Sequence, residues 1–165
     1  MTIDDSVQLL SKRFSQFPQS VNHDVDNKGN DFCEVCLQNG KNPMFPVTIT
    51  VKEAGCLISV GRVQNVTGTA CVPVENIIPA IEDIVNGRVI FVFGYANDEK
   101  LQDDRPFLTK IFALTGKEDD MTGEYRKLIE KINKPVSGIK RKLTNLKGIF
   151  RVYNFTFSVN DTFRR

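Results

Sequence analysis

Residues 89–95 read Val-Ile-Phe-Val-Phe-Gly-Tyr, an apolar run with no alternation. The run is short for a helix, and a strand wet on one face would alternate apolar with polar side chains. It therefore predicts a strand from Arg88 to Tyr95, covered on both faces and central in its sheet. A chain of 165 residues is long enough to bury such a strand. Its twelve phenylalanines add core volume, each removing roughly 150–250 Å² from water when buried.

The neighbouring segments are patterned differently. Val47, Ile49 and Val51 alternate with Thr48, Thr50 and Lys52, the signature of a half-buried strand. Glu53-Ala54-Gly55 is short enough to turn a hairpin, and Leu57 to Val63 forms its second arm, with Gly61 a bulge candidate. Cys33, Val35 and Leu37 alternate with Glu34 and Gln38 and predict a strand before that hairpin. Phe107 to Leu114 is expected to pair with the 88–95 strand. Ile149 to Val159 reads as a last strand, with Tyr153, Phe155, Phe157 and Val159 on one face.

Three helices are expected between these strands. The first is capped by Asp4, Asp5 or Ser6, lines up Ile3, Val7, Leu10, Phe14 and Phe17, and stops at Pro18. The second runs from Pro73 to Val85, buries Ile77, Ile78, Ile81, Ile84 and Val85, and closes at Asn86-Gly87. Pro79 belongs only in a first helical turn and so limits it. The third follows the capping-box spacing Thr115-Gly116-Lys117-Glu118 and carries Met121, Tyr125, Leu128, Ile129 and Ile132 on one face. Grouped strands with short connections predict an α+β fold, one domain over 1–165 with a mainly antiparallel sheet and about three helices packed on it. Residues 18–31 read as a polar loop and 134–147 as a basic connection.

Chemistry is sparse. His23 is the one histidine, in a polar stretch, and there is no tryptophan. Four cysteines occur, Cys33, Cys36, Cys56 and Cys71. Their spacing matches no common zinc finger or ribbon, and on a strand Cys33 and Cys36 point to opposite faces. A redox Cys-X-X-Cys pair sits where a strand meets a helix start, whereas the flanks of this one read as extended. Gly116-Lys117 lacks the first glycine and the Ser/Thr of a phosphate loop, and Glu118 would repel a phosphate. The acidic runs Asp98, Glu99, Asp103, Asp104 and Glu118, Asp119, Asp120 read as exposed, without the burial that separates the pKa values of a catalytic pair. No catalytic residue, cofactor or metal is expected. The acidic N-terminus Met1-Thr2-Ile3-Asp4-Asp5 has no apolar leader core, and no apolar run approaches a membrane span, so a cytoplasmic protein with reduced thiols is expected.

Charge is unevenly spread. From Lys134 to Arg165 there are eight basic residues against one acid, Asp161, within a net charge of +2 for the chain. Such asymmetry marks either a polyanion-binding surface or basic loops facing acidic loops of the same molecule. Lys140-Arg141-Lys142, Lys147 and Arg151, near Phe150, Tyr153 and Phe155, form the nucleic-acid candidate. Those aromatics alternate like a core-facing strand and lack the paired aromatics of an RNA-recognition sheet.

A well-patterned fold of this size, with the start Met1-Thr2-Ile3-Asp4-Asp5, the acidic loop Asp98–Asp104, the polar strand positions Thr48, Thr50 and Lys52 and no catalytic set, resembles a bacterial toxin-immunity protein of the contact-dependent growth inhibition type. That resemblance implies tight stoichiometric binding to a cognate protein toxin, possibly a nuclease, with its active site occluded. Such immunity proteins are often acidic, whereas this chain is slightly basic, which points to strand pairing or shape rather than charge mimicry. The expected function is non-enzymatic protein binding, with Asp98, Glu99, Asp103 and Asp104 as candidate partner contacts. The alternative is a nucleic-acid-binding module built on the basic C-terminal third.

Overall fold

The computed structural model describes residues 1–40, 42–61, 63, 64, 66, 71–113 and 148–164. The expected helix from Thr115, the Gly116-Lys117 pair and the basic connection 134–147 lie outside the described residues. The chain divides into two compact units, Met1–Asn86 with Phe155–Phe157, and Gly87–Asn154 with Ser158–Arg165.

In the first unit, alternation becomes a grid. Strands β1 (Gln19–Val25), β2 (Asp31–Asn39), β3 (Asn42–Lys52) and β4 (Gly55–Val60) form an antiparallel sheet in that order. Register aligns Cys33, Val51 and Cys56 in one row, Val35, Ile49 and Ile58 in the next, and Leu37, Val47 and Val60 in the third. All nine side chains are buried, and each Val, Leu or Ile among them contributes about 1.5–3 kcal/mol by leaving water. Helix α1 (Ile3–Arg13) lies over β2 and β3, and helix α2 (Val74–Val85) over β4. They bring Val7, Leu10, Phe14, Ile77, Ile81 and Ile84 into the core. Arg13 Nε donates to Glu82 Oε1 at 2.8 Å, tying the two helices together at their exposed sides.

Local chemistry corrects three expectations here. The α1 cap is Thr2, earlier than the expected Asp4, Asp5 or Ser6: its hydroxyl accepts the Asp5 N–H while the Asp5 carboxylate accepts the Thr2 N–H, a complete capping box. Pro79 sits inside α2, beyond the first turn. Its missing N–H removes the usual helical donor to the Glu75 carbonyl, and both residues lie on the exposed side, where that loss is least costly. The expected polar loop 18–31 contains β1. Six of its seven residues are exposed, so it carries no alternation to read, and main-chain pairing to β2 makes it a strand. Asp26 closes the hairpin, its carboxylate accepting the N–H groups of Lys28 and Asn30.

In the second unit, β5 (Val89–Tyr95) is buried at every position. It lies between β6 (Leu108–Ala113) and β7 (Ile149–Tyr153) in a second antiparallel sheet, order β6-β5-β7-β8 with β8 spanning Asn160–Arg164. The central placement read from its composition is therefore observed. The expected single strand 149–159 is instead a hairpin. Asn154 breaks it: the backbone N–H donates to the Val159 carbonyl at 3.2 Å, and Oδ1 accepts the Val159 N–H at 3.1 Å. Its Nδ2 donates to the Gly87 carbonyl and to Ser158 Oγ. Phe157 takes the left-handed conformation, φ +61°, that the reversal requires. The expected acidic loop also holds a short helix, α3 (Asp98–Gln102), capped by the Asn97 side chain accepting the Lys100 N–H at 2.9 Å.

The fold is α+β with antiparallel strands, as the sequence pattern predicts, but the strands form two sheets where one was expected. The first sheet ends on one side at β4. Its outward residues are already paired: Cys56 exchanges both main-chain bonds with Val72, Val60 does so with Val63, and the Ile58 carbonyl accepts the Val66 N–H. No further strand can be added there.

Candidate functional site

The acidic segment 97–106 is the first place to look. Its four carboxylates do different things. Asp98 accepts Arg164 Nη2 at 2.7 Å and Nη1 at 3.3 Å, and this pairing holds its carboxyl below the usual carboxylate range. Asp104, at φ +50°, accepts the Tyr95 hydroxyl at 2.7 Å. Tyr95 is buried, and desolvation first, then that hydrogen bond, raises its phenol above the ordinary value. Glu99 and Asp103 are exposed. Thus two of the four predicted partner contacts have internal roles, and Glu99 and Asp103 are the pair more open to another molecule.

The basic third behaves similarly where it is described. Arg151 stacks its guanidinium 5.2 Å from the Tyr153 ring centre, and Arg164 pairs with Asp98. Phe150, Tyr153 and Phe155 are buried and cannot stack bases as they stand. Lys140, Arg141, Lys142 and Lys147 lie outside the described residues.

The cysteines follow the strand geometry. Cys33 is buried in the grid and Cys36 half-buried on the other face, as alternation requires. His23, opposite Cys33 in the β1–β2 register, places Nε2 at 3.9 Å from its Sγ. Burial raises the Cys33 thiol and pushes the Cys56 thiol up to about 11, the reverse of what a thiolate nucleophile needs. Among the described residues, no group of three or more His, Cys, Asp or Glu side chains could hold a metal ion.

What remains is the far edge of the first sheet, which sequence reasoning missed. The Gln38 N–H donates to the Pro18 carbonyl at one end of the β1–β2 pair, and the Asp26 N–H to the Asn30 carbonyl at the other. Antiparallel pairing alternates, so Ser20, Asn22 and Asp24 face β2 with their main-chain groups, while Gln19, Val21, His23 and Val25 turn theirs outward. The Val25 N–H is taken by Asp24 Oδ1 at 2.8 Å. Val21 and Val25 share the face of the buried grid yet are 41% and 53% exposed, because α1 and α2 lie over β2, β3 and β4. Among the described residues the two edges of one sheet are thus unlike: β4 is bonded by Val63, Val66 and Val72, and β1 presents N–H, C=O and two valines to solvent.

Comparison with known proteins adds nothing to this geometry: no family model, no curated protein and no solved structure matches the chain. Among the described residues, no helix is long and apolar enough to cross a membrane.

Proposed function

We propose that this chain is a non-enzymatic protein-binding module that accepts an extended segment of a partner along β1. The observation that carries the reading is the outward main chain of Val21 and His23 on an edge strand whose counterpart, β4, is closed. Strand addition draws affinity from such main-chain groups and specificity from the alternate side chains beside them, which here include the exposed Val21 and Val25. A toxin-immunity protein acting in the cytoplasm on a cognate, possibly nuclease, toxin is the partner relationship that the sequence resemblance suggests. Glu99 and Asp103 would then steer a basic toxin surface. The nucleic-acid alternative draws less support, since Arg151 and Arg164 are engaged internally.

The test is co-purification with the product of the adjacent reading frame, followed by amide hydrogen exchange on the complex. Slowed exchange at Val21 and His23 is the expected result. A complex that leaves both amides unprotected, or strongly salt-dependent binding to nucleic acid in its place, would refute the proposal.

A further inference from the structure

We infer that the segment β1 accepts is basic at one end, the end that lies beside Val25. This deepens the strand-addition reading and rests on it. An open hollow of about 1300 Å³ adjoins that end of β1, between the start of α1, the β1–β2 hairpin and the β3–β4 turn. Asp4, Asp5, Asp24, Asp26, Asp31 and Glu53 line it, and Lys52 is the lysine in the lining. Two of these acids are held ionised by donors of their own: Thr2 keeps Asp5, and Asn30 with Lys28 keeps Asp26, below the usual carboxylate range. The lining sets six carboxylates against two cations, Lys52 and the Met1 amine, so its formal charge is negative. A concave surface of one sign focuses its field on whatever enters.

The edge and the hollow are continuous, because Val25 belongs to both. A strand laid along Gln19–Val25 places its middle against Val21 and His23 and its end over the carboxylates. Lysine or arginine at that end meets them, whereas acidic residues are repelled. A second copy of this chain is a poor occupant. The β1 strand of a second copy, Gln-Ser-Val-Asn-His-Asp-Val, has no lysine or arginine to lay over the carboxylates. The occupant that fits is a different polypeptide, with an apolar or β-branched middle to lie beside Val21 and a cationic end.

The test is selection of phage-displayed random decapeptides against the full chain and two variants. Val21→Pro removes one outward N–H and no bond to β2, a change that an edge strand tolerates. Asp24→Asn/Asp31→Asn/Glu53→Gln neutralises three exposed acids and leaves the Thr2–Asp5 box and the Asp26 turn intact. Peptides enriched on the parent chain are expected to cluster Lys or Arg at one end and to lose binding to Val21→Pro. On the triple variant their affinity is expected to fall about tenfold, in line with three exposed ion pairs, and the parent's salt dependence to flatten. Edge-dependent peptides without a basic end overturn the charge inference and leave strand addition standing. Peptides that bind Val21→Pro as well as the parent, or no enrichment at all, overturn strand addition itself.

Discussion

The two edges of the first sheet should respond oppositely to substitution, and Gly55 is where that contrast is sharpest. Gly55 opens β4 at φ +130°, a backbone region that side chains other than glycine's rarely adopt. A Cβ added there would lie 3.0 Å from the Val72 carbonyl oxygen and 3.1 Å from its carbon and nitrogen. These are main-chain atoms locked in the Cys56–Val72 bridge, so they cannot swing aside as a side-chain end would. The φ penalty is about 1–3 kcal/mol. The close contacts add about 1–3 kcal/mol, and a stiffer unfolded chain returns about 0.4–1 kcal/mol. Gly55→Ala should therefore lose about 1–5 kcal/mol, or roughly 3–15 °C in Tm for a chain of this length. Calorimetry reads the loss, and hydrogen exchange should show faster exchange at Cys56 and Val72, whose N–H groups form the bridge. Val21→Pro on the opposite edge should stay within about 1 kcal/mol of the parent, since no ladder bond is lost. An unshifted Gly55→Ala, or a Val21→Pro that unfolds, would refute the assignment of a sealed and an open edge.

Further outcomes are expected elsewhere. Phe91→Asp places an unpaired charge at a fully buried position of β5 and should abolish cooperative unfolding; a native-like thermal transition would show that β5 is not central. Tyr95→Phe should cost about 1–3 kcal/mol in denaturant titrations by removing the hydrogen bond from its hydroxyl to the Asp104 carboxylate. Because the folded state raises the Tyr95 phenol above its ordinary 10.0, the folded chain holds that proton longer; parent stability should fall as pH rises past 10, and less steeply in Tyr95→Phe. Glu99→Gln/Asp103→Asn should leave Tm within about 2 °C of the parent while slowing association with a basic toxin at low salt; an unchanged association rate would remove both acids from the interface. Maleimide should label Cys71 first in the folded protein, and Cys33 and Cys56 only on unfolding, as read by intact mass; equal rates would contradict their burial.

Patterns confined to one strand or helix were legible in the residues alone. The unbroken apolar run of β5, the alternation of β3 and the heptad-like spacing of α1 each reflect burial on one or two faces, which the order of side chains records directly. β1 was not legible because its pairing is made by main-chain groups that every residue carries, and its exposed side chains bear no periodicity. The break at Asn154 was hidden for a related reason. Aromatic alternation continues across residues 153–157, and only the bonds from Asn154 to Gly87, Ser158 and Val159 show that the chain reverses there. The acidic character of segment 97–106 was visible in composition, but which acids are spoken for depended on Arg164 and Tyr95, one of them 66 positions away in sequence. The candidate site lies at this same limit. The sequence by itself determined which strands could be buried and that no familiar catalytic set is spelled out. Only the tertiary structure decided which edge stays open, because an edge is defined by the pairing a strand lacks, and that depends on where Val63, Val66 and Val72 meet β4.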